Sequence, residues 1–305
     1  MDSLCKDGKT KEAYDLLGEM MEKGIEASIF TYSILIDGYC LRGEIEDAKK
    51  FFDSMENKGL KHNVVSYITL INGYCKAKRL DEAMVHFREM SSKRLTPNVV
   101  TYNTLMDGLC KVGKVGAAQN LFKDMQTDGK DPDMITYAIL IDGLCATGHF
   151  SEAMELIRTM EHNGLRANIV IYTSIIHNMC QAGNVMKANE IFHGLSAKEI
   201  QPDAKAYTAL IGGFCKEKML TEAQDLFAEM EEKGVAPDDH TFNIIVQGFL
   251  NGSDFDKALE YLKVMDQRGF SPSAQVAEVM VDLVTRDKQN HEGSVVLRQF
   301  LFGDN

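Results

Sequence analysis

Every cysteine of the chain stands 35 residues from the next: Cys5, Cys40, Cys75, Cys110, Cys145, Cys180 and Cys215. Neither a disulfide framework nor a metal site spreads its sulfurs this way. Fixed spacing means one structural unit copied along the chain, with a cysteine in the same slot of each copy. Small, apolar and reduced, these thiols suit a buried helical position in a reducing compartment.

Composition sets the outer bounds. A chain of 305 residues with 45% hydrophobic content can bury a large core, so disorder is not expected. No run of about 18 or more apolar residues is present, which argues against a membrane span. The net charge of −12 counts against indiscriminate nucleic-acid binding through a broad basic surface, though not against a narrow track of Lys and Arg. The first residues, MDSLCKDGKT, have neither an apolar signal core nor an Arg-rich leader, so no transit peptide is expected in this chain.

Residues 99–133 give the unit most clearly. Tyr102, Leu105, Met106, Leu109 and Cys110 form one apolar helical face. After a break at Val112, Gly113 and Lys114 comes a second face of Val115, Ala118, Leu121, Phe122 and Met125. Gly129 supplies the positive φ that ends this helix, Pro132 blocks its continuation, and Asp133 caps the next one. Each unit is therefore two antiparallel helices. The same punctuation recurs: all five prolines take the next-to-last place, and Ala, Met and an aromatic residue hold their own slots. The methionines read as core fillers.

The boundaries follow as 29–63, 64–98, 99–133, 134–168, 169–203, 204–238 and 239–273. Residues 1–28 read as a truncated N-terminal repeat, and 274–305 as a degenerate C-terminal capping repeat with Ala277, Thr285 and Arg286 in the aromatic, Cys and following slots. One unit cannot bury its own stripe, whereas stacked units can. The expected fold is all-α: one right-handed α-solenoid of tandem 35-residue helix-turn-helix repeats, its concave face lined by the first helices.

The first helix of unit 99–133 offers a polar stripe of Asn103, Asp107 and Lys111, expected opposite the Tyr102–Cys110 face, with Val100 a turn before Asn103. The slot of Asn103 varies (Ser33, Ile68, Asn103, Ala138, Thr173, Thr208, Asn243) while the flanking core slots stay fixed, as on a readout surface or a neutral solvated face. The last residues of the units, Asn63, Asn98, Asp133, Asn168, Asp203, Asp238 and Ser273, are all good helix N-caps, and capping alone accounts for them. Lys6, Lys76, Lys111 and Lys216 share the slot after the cysteine, either as a broken cationic track or as ordinary charged surface. His177 and Cys180 make half a metal site with no second pair to complete it, so no metal and no cofactor are expected. Nothing resembles a Ser-His-Asp set, a P-loop or a carboxylate pair, so an enzyme is not expected.

The 35-residue period with VVTYNTLMDGLCK, then Glu-Ala, Phe, Met, Gly and Pro-Asp, resembles the pentatricopeptide repeat family, and its P-type branch in particular. The resemblance covers about 273 residues. It implies binding of single-stranded RNA, one base per repeat, in plant mitochondria or, next, plastids, where the family serves RNA processing, stabilisation, splicing, editing or translation. It also implies that the residue after the aromatic and the last residue of the unit select the base. On that basis Ser33 with Asn63 resembles an adenine reader and Asn103 with Asp133 a uracil reader. Thr173 with Asp203 and Thr208 with Asp238 resemble guanine readers, and Asn243 with Ser273 a cytosine reader. Ile68 with Asn98 and Ala138 with Asn168 are weak, because neither apolar side chain can hydrogen-bond a base. The implied target is 5′-A-N-U-N-G-G-C-3′. Phe30, Val65, Val100, Ile135 and Val170 would sandwich bases; Lys205, His240 and Gln275 hold that slot farther on. Lys76, Lys111 and Lys216 would meet phosphates. A monomer is expected, with other RNA-processing proteins as further partners. The alternatives are a scaffold holding an extended peptide, favoured by the acidity, and a truncated product with little function.

Overall fold

The structure, a computed structural model, describes residues 1–286. The remainder of the expected capping repeat lies outside the described residues, as do the side chains of Thr285 and Arg286. The helices group into two compact units, Met1–Leu165 and Arg166 onward. The division falls in the turn that ends a second helix, three residues short of the repeat boundary at 168.

The first unit holds α1 (Asp2–Lys6), α2 (Thr10–Glu22), α3 (Ile29–Leu41), α4 (Ile45–Asn57), α5 (Val64–Lys76), α6 (Leu80–Ser92), α7 (Val99–Lys111), α8 (Val115–Thr127), α9 (Met134–Ala146) and α10 (Phe150–His162). The second holds α11 (Ile169–Gln181), α12 (Val185–Gly194), α13 (Ala204–Lys216), α14 (Leu220–Glu232), α15 (Asp239–Asn251), α16 (Phe255–Gln267) and α17 (Ala274–Arg286), with a short 3₁₀ turn at Ser196–Lys198. All these elements are helical, and each expected unit from 29 to 273 is a helix pair. Within each compact unit the odd-numbered first helices pack on one another in succession, and each second helix packs on its own first helix.

Local chemistry explains the regularity. Seven first helices, from α3 to α15, start at a Ser, Asn or Asp whose side chain accepts the backbone N–H three residues on: Ser28, Asn63, Asn98, Asp133, Asn168, Asp203 and Asp238. This satisfies a donor that the helix start leaves orphaned. Gly129 takes φ +66° past the end of α8, as its place in the sequence required. Arg94, in the same turn of the preceding repeat, adopts φ +61° without being glycine.

The core is built from the repeated slots. Tyr32, Tyr67, Tyr102, Tyr137, Tyr172, Tyr207 and Phe242 are buried, and every alanine from Ala13 to Ala258 in the close-approach slot is fully enclosed. The methionines are core fillers as expected: Met55, Met90, Met125, Met160, Met230 and Met265 are wholly buried, with Leu195 in the same role, while Met20 is half-buried. Each such side chain contributes about 1.5–3 kcal/mol of apolar burial.

One slot went unread in the sequence. Two residues before Cys40, Cys75, Cys110, Cys145 and Cys215 stands a glycine, and the cysteine of the preceding repeat packs on it, as Cys5 on Gly38, Cys75 on Gly108 and Cys180 on Gly213. A β-carbon on Gly38 would fall 2.6 Å from Cys5 Sγ, so only hydrogen fits there. In the sixth copy Asn178 takes this place, its Nδ2 donating to the Ser174 carbonyl at 2.9 Å.

Candidate nucleic-acid interface

The second residue of each first helix breaks the usual rule for apolar side chains. Phe30, Val65, Val100, Ile135 and Val170 are between 55% and 73% exposed, in five successive repeats. In the first compact unit, apolar surface repeated in this slot of four successive repeats and left in water is the mark of a binding surface. Lys205, His240 and Gln275 continue the slot, also exposed. Four of the apolar side chains lie in the first compact unit; Val170 and the polar ones lie in the second.

The variable slot sits differently from our expectation. Asn103 was expected on a stripe opposite the core, yet it is only 7% exposed, and Ser33 and Thr208 are equally buried. Ile68, Ala138, Thr173 and Asn243 are half-buried. The reason is angular: neighbouring helical residues are about 100° apart, so the residue after the buried aromatic points along the flank that the next first helix covers. Asp107 is half-buried and Lys111 exposed, so the expected stripe is polar only toward its end.

Burial gives this slot partners. Asn103 Nδ2 donates to Asp133 Oδ1 at 3.2 Å, while Asn103 Oδ1 accepts from Thr136 Oγ1 at 2.7 Å. Asn243 Oδ1 accepts from the backbone N–H of Ser273 at 2.6 Å. Thr208 donates to the Ala204 carbonyl at 2.6 Å and adjoins Asp238 through Thr241, whose Oγ1 lies 2.8 Å from Thr208 Oγ1 and donates to Asp238 Oδ1 at 2.7 Å. Three of the expected pairs are thus joined. Ser33 instead donates to the Ile29 carbonyl at 2.9 Å, with no bond to Asn63. The buried Thr173 Oγ1 has no hydrogen-bond partner among the described residues. Asn98 and Asn168 serve as caps, and Ile68 and Ala138 offer them nothing polar.

Asp133 and Asp238 therefore act both as caps and as partners of the variable slot. Burial works to raise each carboxyl, but hydrogen bonds from Thr136 and Asn103 at Asp133, and from Thr241 at Asp238, outweigh it. Both carboxylates are held below their ordinary range. They remain acceptors at any physiological pH.

All three expected phosphate-facing lysines, Lys76, Lys111 and Lys216, are exposed. Lys111 pairs with Asp107 at 2.6 Å, and Lys216 donates to the Gln181 carbonyl at the end of α11, also at 2.6 Å. Such exposed contacts are worth under about 1 kcal/mol and yield readily to a phosphate. Glu222, Asp225, Glu229, Glu231 and Glu232 of repeat 204–238 lie on its second helix, where Glu229 accepts from Tyr207 Oη at 3.2 Å and Glu231 pairs with Arg268. His177 is exposed while Cys180 is buried, so the half metal site does not converge, and no group of three or more metal-binding side chains occurs among the described residues. No described helix is long and apolar enough to cross a membrane.

Comparison with known proteins bears on this arrangement. The profile described as the PPR repeat family matches residues 1–41, 62–111, 97–146, 167–216 and 202–251, and the PPR repeat itself matches 30–60, 135–165 and 240–270. The pentatricopeptide repeat protein PPR10 in complex with an 18-nt psaJ RNA element is similar in structure, with a TM-score of 0.60 and 22% identity over 96% of this chain. The pentatricopeptide repeat protein PPR10 from maize gives 0.45, at 20% identity over 98% of this chain and 62% of that one. The PPR domain of Arabidopsis thaliana protein-only RNase P 1, in complex with tRNA, gives 0.48 at 18% identity over 58% of this chain and 93% of that one. This chain spans 47% of the RNA-bound PPR10 chain. No curated protein sequence matches it. At such identities the likeness speaks for the fold.

Proposed function

The chain belongs to the pentatricopeptide (PPR) repeat family, and on that premise we propose that it binds single-stranded RNA sequence-selectively, one base per repeat, without chemistry of its own. The observation that carries this is the exposed apolar side chain repeated in one slot of each first helix from α3 to α11, four times in the first compact unit, beside hydrogen-bonded polar pairs. Phe30, Val65, Val100, Ile135 and Val170 present apolar surface to base rings, and the amide of Asn103, fixed against Asp133, presents polar atoms to a base edge. Lysines at 76, 111 and 216 would neutralise phosphates, making affinity fall with salt. The target on this reading is 5′-A-N-U-N-G-G-C-3′, read from the N-terminal repeat onward.

Bound as a monomer, the protein would shield a transcript from nucleases, hold it unpaired, or present it to other RNA-processing proteins. The proposed setting is the mitochondrion, with the plastid second. Fluorescence anisotropy with labelled RNAs tests the reading: the forward target should bind at least about tenfold more tightly than its reversed order or the matching DNA, a difference of ~1.4 kcal/mol. Equal, weak binding to all three overturns it. A groove holding an extended peptide is the second reading, favoured by the net charge of −12 and by the pairing of Lys111 with Asp107. Capture of protein partners that survives nuclease treatment, with no RNA cross-links, would support it.

A further inference from the structure

The third residue of a first helix belongs to its own capping box, yet in two places it also reaches back to the preceding repeat. Thr136 Oγ1 lies 2.7 Å from Asn103 Oδ1, and Thr241 Oγ1 lies 2.8 Å from Thr208 Oγ1. Each pair is separated by 33 residues, and each threonine is wholly buried. The bond has a directional effect at Asn103. With Nδ2 donating to the Asp133 carboxylate, Oδ1 faces the Thr136 hydroxyl, whose one proton is shared with Asp133 Oδ1 at 2.8 Å; the flipped amide would set Oδ1 against that carboxylate. Thr208 Oγ1 donates to the Ala204 carbonyl at 2.6 Å, and Thr241 Oγ1, 2.8 Å away and itself against Asp238, gives it a second partner.

Repeat 169–203 is the internal control. It carries the same Thr and Asp as repeat 204–238, at Thr173 and Asp203, but the residue 33 positions after Thr173 is Ala206. Ala206 is wholly buried and has no hydroxyl, and Thr173 Oγ1 is a buried oxygen left without a hydrogen bond among the described residues. A buried hydroxyl in that state either turns without preference or bears the cost of an unmade bond.

We infer that the hydroxyl at the third position of the following first helix (Thr136 for Asn103, Thr241 for Thr208) is a positioning residue that sets how sharply the preceding repeat discriminates its base, and that Ala206 leaves Thr173 a blunt reader. This rests on the base-reading function proposed above and adds a residue to it. The two guanine-reading repeats should then differ: the base facing Thr208 is read sharply and the base facing Thr173 weakly, although their reading pairs are chemically identical.

Anisotropy on the full chain tests this, with the target RNA and versions carrying adenine in place of guanine at the fifth or the sixth base. The expected penalty is larger at the sixth base. Ala206→Thr places in that slot the residue its siblings Thr136 and Thr241 already fit. It should raise the fifth-base penalty by about threefold or more, the worth of one buried hydrogen bond. Thr241→Val should lower the sixth-base penalty to that of the fifth, and Thr241→Ser should restore it, with the other bases unaffected. Thr136→Val should remove the donor to Asn103 Oδ1 and loosen the amide, measurable by NMR without RNA as shifted and broadened Asn103 side-chain signals. If Ala206→Thr leaves the fifth-base penalty unchanged while the wild type discriminates at the sixth, the inference fails and base reading stands. Tight binding with no penalty at either base overturns the assigned reading pairs, and this inference with them. Should Thr241→Val unfold, as melting by circular dichroism would reveal, Ala206→Thr and Thr241→Ser decide the matter.

Discussion

Cys75 and Gly108 touch across two repeats so closely that a β-carbon on the glycine would lie 2.7 Å from the sulfur. The two slots recur as partners along the array, with the thiol of one copy seated on the bare α-carbon of the next. Close helix approach is thus set by a cysteine small enough to bury and a glycine with nothing to move aside.

Gly108→Ala should therefore destabilise the protein by about 1–3 kcal/mol, the usual cost of overpacking. Cys75→Ala should cost less on its own and relieve part of the glycine variant's loss when the two are combined. A double-mutant cycle of urea midpoints measures the coupling; strict additivity would show that the two slots do not contact each other.

The thiols should be inert while the chain is folded. Burial pushes Cys40, Cys75, Cys110, Cys145, Cys180 and Cys215 up to about 12, so almost no thiolate exists near neutrality. Ellman's reagent at pH 8 should react fully only after denaturation, with half-buried Cys215 the first to appear in partial denaturant.

His86 should make stability depend on pH. It occupies a slot that holds Leu16, Leu121, Leu156 and Leu226 in other repeats, stacked on Tyr74 at 5.3 Å. Burial lowers its proton affinity, against a 3.0 Å hydrogen bond to Glu89 and a nearby Asp53, with Lys49 adding to the lowering. The unfolded chain then binds a proton more readily, so stability falls as pH drops through the ordinary histidine range. His86→Leu should raise the melting temperature more at pH 5.5 than at pH 8.

Capping and base reading can be separated by two substitutions. Asn98→Ala removes a cap beside the apolar Ile68 and should cost about 1 kcal/mol of stability with little change in base preference. Asp133→Ala removes both a cap and the partner of Asn103, and should in addition flatten selectivity at the third base. Thermal melts and RNA titrations read the two effects independently.

Replacing Asn103 with Thr while keeping Asp133 should move preference at the third base from U toward G. Competition between RNAs differing only at that base checks it, and an unmoved preference would remove the assigned pairing from this chain.

Much of this was legible in the sequence because the repeat supplied its own alignment. Seven copies exposed which slots are invariant, and those proved to be the buried aromatics, alanines and methionines. Caps were legible for the same reason, since Asn98 or Asp133 can satisfy a helix start using only residues three positions away. What escaped was contact between copies. Nothing local distinguishes Gly108 from any helical glycine until the sulfur of Cys75 is seen against it. Asn103 looked exposed because a single helix, viewed alone, has a flank that only the next helix covers.

The bond from Thr136 to Asn103 also alters what counts as a module. Cutting the array at its 35-residue boundaries transplants Asn103 and Asp133 together but leaves Thr136 behind with the neighbour. Repeats exchanged as cassettes would carry their letters but not their accent. Engineers reordering such arrays would do better to cut after the third residue of each first helix, and a lineage could blur or sharpen one letter of its target by substituting a residue that never meets the RNA.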